Sequence, residues 1–272
     1  MIKLVVFDLD NVIIDGEEFL DGVSINQEEL KVAMRSGKNI KTSTPPLGLV
    51  IEYFEELFKK GYEHIIHFTI SSKLSSMNSL FQTVAEQNFP GKVTVIDSYS
   101  VSSPMLSYVL YAYEQVKLGT APEKIKEDID QFKTQYKVTF IPENLTALKN
   151  GGRISSTIAL VGNLIGIKPV LVLKDGAIEK LCMTKRARKY LCEMIDTVKG
   201  DYPADKYDYS ILNFDVEQHT YESVLNHLQT AFPELKIIEG LLPINVAAHA
   251  GPGTIGLAIT QKLNGKSIND YM

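Results

Sequence analysis

Hydroxyls, cations and glycines gather at four places along this chain. They read Lys41-Thr42-Ser43-Thr44-Pro45, Ser71-Ser72-Lys73-Leu74-Ser75, Gly151-Gly152-Arg153-Ile154-Ser155 and His249-Ala250-Gly251-Pro252-Gly253-Thr254. Each joins hydroxyls, a cation or free backbone N–H groups to a turn or a helix start. Such sites hold small anions: a helix start offers unpaired N–H groups and a partial positive charge. An arginine adds a planar fork for a carboxylate or phosphate. Singly, each has a plain reading. The 71–75 run is also a serine-rich helix cap, and the 42–46 run a proline-stopped turn. Gly151-Gly152-Arg153 is also a helix–helix connection with left-handed glycines and a surface arginine. His249 is also a buried, satisfied histidine beside a tight turn. The signal lies in their company.

Other chemistries compete weakly. The glycine-rich 251–256 run lacks the Gly-Lys-Ser/Thr ending of a phosphate-binding loop. Leu4-Val5-Val6-Phe7-Asp8-Leu9-Asp10-Asn11-Val12 matches the nucleophile motif of haloacid-dehalogenase-type phosphatases. On that alternative Asp8 attacks phosphorus, Asp10 is the acid/base, Thr69 mimics the second motif, and Gly200-Asp201 with Asp205 mimics the magnesium motif. That last motif should follow a buried strand, but residues 190–198 read as a helix and its exit. Outside that alternative no catalytic residue and no metal-ligand set is expected. Lys185-Arg186-Ala187-Arg188-Lys189 reads as a solvated helix face, and more weakly as a dock for an acidic partner or a phosphate donor.

The elements that position these motifs alternate in type. Residues 4–7, 65–70, 93–96 and 138–141 read as buried strands. A helix over 47–60 has one apolar side. Ile125, Ile129, Phe132 and Tyr136 form a helical stripe, with Thr120 and Glu123 as its capping box. Strand–helix alternation implies a mostly parallel sheet with flanking helices. After residue 141 the pattern changes. Helices are expected from 143 to the Gly151-Gly152 pair, over 155–164, from Arg186 onward, and over 221–232. Residues 169–173 and 177–182 flank Lys174-Asp175-Gly176, a strong hairpin signal. Residues 200–207 read as a linker, and 209–214 and 237–242 as further strands. The expected fold is α/β in two domains: a mostly parallel N-terminal domain over 1–141 and a mixed α/β domain over 142–272.

Composition narrows the classes. The 272 residues suit two cores. A net charge of −5 without a long basic block argues against nucleic-acid binding. Apolar runs fall short of the ~20 residues that cross a bilayer, so the protein is not expected to be membrane-integral. The first residues lack a signal-peptide pattern. Cys182 and Cys192 lie in expected elements rather than in a stapled loop framework, and a cytoplasmic location fits.

The motifs, in this order, resemble the DegV family of bacterial fatty-acid-binding proteins. The likeness starts at Asn11-Val12-Ile13-Ile14-Asp15-Gly16. It continues through Asp21-Gly22-Val23, the 41–45 and 71–75 runs, Val95-Ile96-Asp97-Ser98, the 151–155 run and Ile167-Lys168-Pro169, and ends over 249–256. The resemblance implies a long-chain fatty acid buried between two domains. It also implies a partner, the catalytic subunit of a fatty acid kinase, which phosphorylates the presented carboxylate. The chain itself would be a carrier without cofactor, not an enzyme. Carried over, Thr42 and Ser75 contact the carboxylate, and Arg153 and His249 lie near it. Ser43 and Ser72 are plausible neighbours. Two departures stand out. Family members usually open with a strand ending in Thr-Asp-Ser and a helix; here residues 4–10 stand in for that strand or the unit is missing. Ser75-Ser76-Met77 replaces the usual Ser-Gly-Thr. A member that binds another small acid is the remaining alternative.

Overall fold

The computed structural model describes residues 2–6, 11–20, 23–154 and 166–272. Its first sheet is parallel, in the order β1 (Ile2–Val6), β5 (His64–Thr69), β6 (Val93–Asp97). The central strand is buried along nearly its whole length, as a parallel strand covered on both faces must be. Alternation sorts its side chains. Ile65 and His67 face α2 (Leu47–Lys59) and α3 (Met77–Asn88), where Phe54 and Phe81 pack. Ile66 and Phe68 face α4 (Ser102–Lys117) and α5 (Pro122–Phe132), where Met105, Tyr108, Ile125 and Ile129 pack. The opening segment is therefore a strand of this sheet, with Leu4 in register with Ile66.

A small antiparallel sheet orders β3 (Glu17–Phe19), β2 (Asn11–Ile14) and β4 (Ile40–Ser43), with α1 (Gln27–Arg35) between the last two in sequence. A mixed six-stranded sheet follows the order β11 (Ile238–Leu241), β10 (Tyr207–Phe214), β12 (Thr254–Gln261), β7 (Tyr136–Ile141), β8 (Lys168–Lys174), β9 (Ala177–Thr184). Only β10 and β11 run parallel. Sheet membership crosses residue 141, because β7 pairs with both β12 and β8.

The two faces of the six-stranded sheet differ. Tyr209, Ile211, Ile255, Leu257 and Ile259 pack on α7 (Ala187–Val198) and α8 (Gln218–Ala231) through Leu191, Ile195, Val224 and Leu228. On the opposite face Val138, Leu173, Leu212 and Ala258 meet Val12, Leu30 and the helix α9 (Ile244–Ala250). That second face carries the site.

Several local expectations give way to tertiary context. Thr120 does not cap α5: its hydroxyl donates to Gln115, and Pro122 opens the helix with φ already fixed. Tyr136 is not on the α5 stripe but begins β7, because the helix ends at Phe132. The helix before Gly151 is α6 (Thr146–Asn150), shorter than expected. Thr42 and Ser43 lie on a strand rather than in a loop, since β4 pairs with β2. The helix expected over 155–164 lies outside the described residues.

Candidate ligand-binding site

One pocket, about 840 Å³ counting its mouth, lies between the parallel-sheet unit and the second face of the six-stranded sheet. Its walls are mostly apolar, including Ile70, Val101, Phe140, Leu148, Leu173 and Leu242. Ser75, Arg153, His249, Asn245 and Thr254 bring polar atoms to it. On β12 the inward positions are Thr254 and Gly256. A Cβ on Gly256 would come within 2.9 Å of the Phe140 Cβ, so the absent side chain lets the neighbouring strand's phenylalanine seat there.

Ser75 is placed by a loop fastened on several sides. Its N–H and that of Leu74 donate to the Ser71 carbonyl. The Asp97 carboxylate, at the end of β6, accepts from the N–H of Ser72 at 3.1 Å and of Tyr99 at 3.0 Å. The Ser71 hydroxyl donates to the Gly176 carbonyl at 2.7 Å, at the tip of the β8–β9 hairpin. Arg153 donates through Nε to the Leu74 carbonyl at 3.0 Å and through Nη1 to the Gly151 carbonyl. The Ser75 hydroxyl oxygen accepts from the Met77 N–H at 3.2 Å. The 71–75 run is thus a turn ahead of α3, not its first helical residues.

His249 sits near the end of α9, which packs on α6 and β4. That packing brings its Nε2 within 2.8 Å of the Thr42 hydroxyl. Burial, followed by the nearby Arg153 charge, pushes its pKa down to about 4. The imidazole is therefore neutral at physiological pH, and Arg153 carries the positive charge beside it. Gly151 owes its identity to this ring. Its φ of −74° is ordinary, so the expected left-handed geometry belongs to Gly152, at +70°. A Cβ on Gly151 would stand 2.1 Å from His249 Nδ1.

The structure thus gathers Ser75, Arg153 and His249 on one pocket, with Thr42 joined to it through the imidazole. Ser43 is in register with Asn11 on the small sheet and is not among the lining residues. Ser72 is exposed and offers its backbone to Asp97. Asn245 was not read from the sequence. Its place four residues before His249, on the same helical face, is the signal that would have found it.

The phosphatase alternative finds no support in Thr69. That residue is fully buried, and its hydroxyl is occupied between the Asn78 amide and the Ile96 carbonyl. Gly200-Asp201 follows α7, a helix. Asp8 and Asp10 lie outside the described residues. Among the described residues no cluster of His, Cys, Asp and Glu could hold a metal ion, and no helix is long and apolar enough to cross a membrane. Cys182 and Cys192 are free thiols.

A family model described as an uncharacterised protein of the DegV family matches residues 5–262. A DegV domain-containing protein of Staphylococcus aureus strain MRSA252 is 32% identical over 255 residues, covering 92% of this chain and 88% of its own. A solved fatty-acid-binding DegV family protein of Streptococcus agalactiae has a TM-score of 0.84 at 24% identity, over 97% of this chain and 100% of its own. A fatty-acid-binding DegV family protein of Thermus thermophilus gives 0.82 at 24%, over 96% and 99%. A stearic-acid-binding protein of Eubacterium ventriosum gives 0.79 at 22%, over 93% and 90%. At these identities the solved structures speak for the fold. The match over nearly the whole chain, with the staphylococcal relative beside it, decides the family: the chain belongs to the DegV family.

Proposed function

We propose that this chain is a carrier that binds a long-chain fatty acid and presents its carboxylate to the catalytic subunit of a fatty acid kinase. The observation that carries the reading is an apolar pocket with Ser75, Arg153 and His249 at its wall and Thr42 bonded to the imidazole. Burying about 14 methylenes at ~0.8 kcal/mol each gives on the order of 11 kcal/mol gross. Lost ligand freedom and side-chain ordering offset much of that. The tail then supplies affinity and the polar cluster supplies orientation. A carboxylate buried without partners would be costly. With His249 neutral, the Arg153 guanidinium is the compensating charge. Ser75 would donate its hydroxyl proton to one carboxylate oxygen. The Thr42–His249 pair would donate to the other. The apolar wall favours a long chain over a small polar acid.

The test is denaturing extraction of the purified protein followed by mass spectrometry, paired with acyl-phosphate formation by a purified kinase catalytic subunit. A stoichiometric fatty acid and kinase-dependent product are expected. Protein that carries no lipid, and takes up none when offered, sinks the carrier reading. Arg153→Ala is expected to lose both ligand and product, because the arginine also fastens the loop that holds Ser75. Full ligand retention in that variant would remove Arg153 from the headgroup.

A further inference from the structure

Asn245 is the most deeply buried polar side chain on α9, with 3% of its surface exposed, and it lines the pocket. Its orientation is fixed by one bond: the Val246 N–H donates to Oδ1 at 2.7 Å. A backbone N–H can only meet the amide oxygen, so the NH2 group is the end left over. Among the described residues that NH2 has no hydrogen-bond partner. The same pocket wall carries the apolar side chains of Leu242, Val246 and Ala250. A buried donor left unmet costs free energy that a leucine there would not. His249 follows at i+4, so the two side chains stand about 5–6 Å apart along one face of the helix.

We infer that Asn245 is a ligand-contacting residue, whose amide N–H donates to an oxygen of the bound acyl acid within one helical turn of His249. The inference rests on the carrier reading and deepens it. The ligand must present an acceptor there, and two sources share that chemistry. One is the carboxylate itself. The other is a hydroxyl or oxo oxygen on the first carbons of the chain, which would make oxygenated acids the preferred class. A plain methylene opposite the amide leaves the donor unmet and selects against that ligand.

Equilibrium binding of hexadecanoic acid and of its 2- and 3-hydroxy derivatives tests this, with wild type, Asn245→Leu and Asn245→Asp. The aspartate keeps an acceptor for the Val246 N–H and removes the donor, so it separates ligand contact from support of the helix. Both variants are expected to bind at least one of these acids about tenfold or more weakly. Loss for all three acids assigns the contact to the carboxylate. Loss confined to a hydroxy acid assigns it to the chain oxygen. Wild-type affinity for every acid in a folded Asn245→Asp protein overturns the inference and leaves the carrier reading standing. A wild-type protein that binds none of the acids overturns both.

Discussion

Two histidines, one fully buried and one partly buried, show how the same residue serves packing in one place and a site in another. His67, on the central strand of the parallel sheet, has no exposed surface. It stacks on Phe81 with centroids 3.9 Å apart and meets Phe54 edge-on, and among the described residues neither ring nitrogen has a hydrogen-bond partner. His249 lines a cavity, is bonded to Thr42 and feels Arg153. Burial is the leading cause of a lowered pKa at both, to about 3 at His67 and about 4 at His249. Neutrality therefore does not tell them apart. What surrounds the ring does: His67 behaves as an aromatic plate in a filled core, whereas His249 borders space and polar atoms.

The largest effect expected from this comparison is on acid stability. In the unfolded chain both rings take a proton near pH 6.5, while in the folded chain they resist it down to about 4 and 3. Between those values the unfolded state binds more protons, so stability is complete above pH 6.5 and falls as pH drops below it. At ~1.4 kcal/mol per pH unit for each group, several kcal/mol are lost by pH 4. Denaturant titrations from pH 7 to pH 4 measure this. His67→Phe should flatten the acid limb and stay within about 1 kcal/mol of wild type at pH 7, because two unmet polar atoms leave with the imidazole. An unchanged acid limb would show that His67 is hydrated or bonded in solution. A bound fatty acid should reduce only the His249 share, since a carboxylate beside the ring offsets the Arg153 charge.

Gly151 and Gly152 sharpen the contrast between fold and site. Alanine at 151 would drive its Cβ into the imidazole of His249, a side chain with cavity space to swing into. The fold should tolerate that, while the Thr42 bond and ligand retention are lost, the latter by about tenfold or more. Alanine at 152 meets no atom within 4 Å but must adopt a φ near +70°. It should cost about 1 kcal/mol of stability and leave ligand binding intact. Thermal melts and ligand binding on both variants give a crossed result if the assignment holds. Parallel losses would mean that the two glycines do one job.

Much of the framework was legible because local chemistry and tertiary context agree there. Asp175-Gly176 lies between two apolar strands, and both residues adopt positive φ, at 46° and 79°, as a two-residue hairpin loop requires. The same dipeptide at Asp15-Gly16 makes the same turn between β2 and β3, with Ile14 opposite Glu17. It went unread because Glu17-Glu18 supplies no apolar run after it. The strand at Thr42 was illegible for a different reason: its partner, β2, is separated from it by α1, and such pairing leaves little local trace. In the site, hydroxyls and cations were visible as residue types. The clearance at Gly151 and the inward face of Asn245 were not, since both depend on where α9 packs. The pairing of Thr42 with His249 spans 207 residues and no local pattern encodes it.

Ser75→Ala is the mildest of these tests and the most direct on the pocket. Its hydroxyl accepts from the Met77 N–H, and the loop is held mainly by the Ser71 carbonyl, the Asp97 carboxylate and the Arg153 bond to the Leu74 carbonyl. Removing one oxygen leaves those ties in place, so the fold should lose no more than about 1 kcal/mol. A ligand carboxylate would lose one donor of its set, which is worth on the order of tenfold in affinity at most if Arg153 and the Thr42–His249 pair remain. The decisive reading is therefore a ratio. Affinity for hexadecanoic acid should fall while affinity for its methyl ester, which has no charge to settle, falls less. If acid and ester weaken alike, Ser75 shapes the wall rather than holding the acid, and the headgroup lies elsewhere along the pocket.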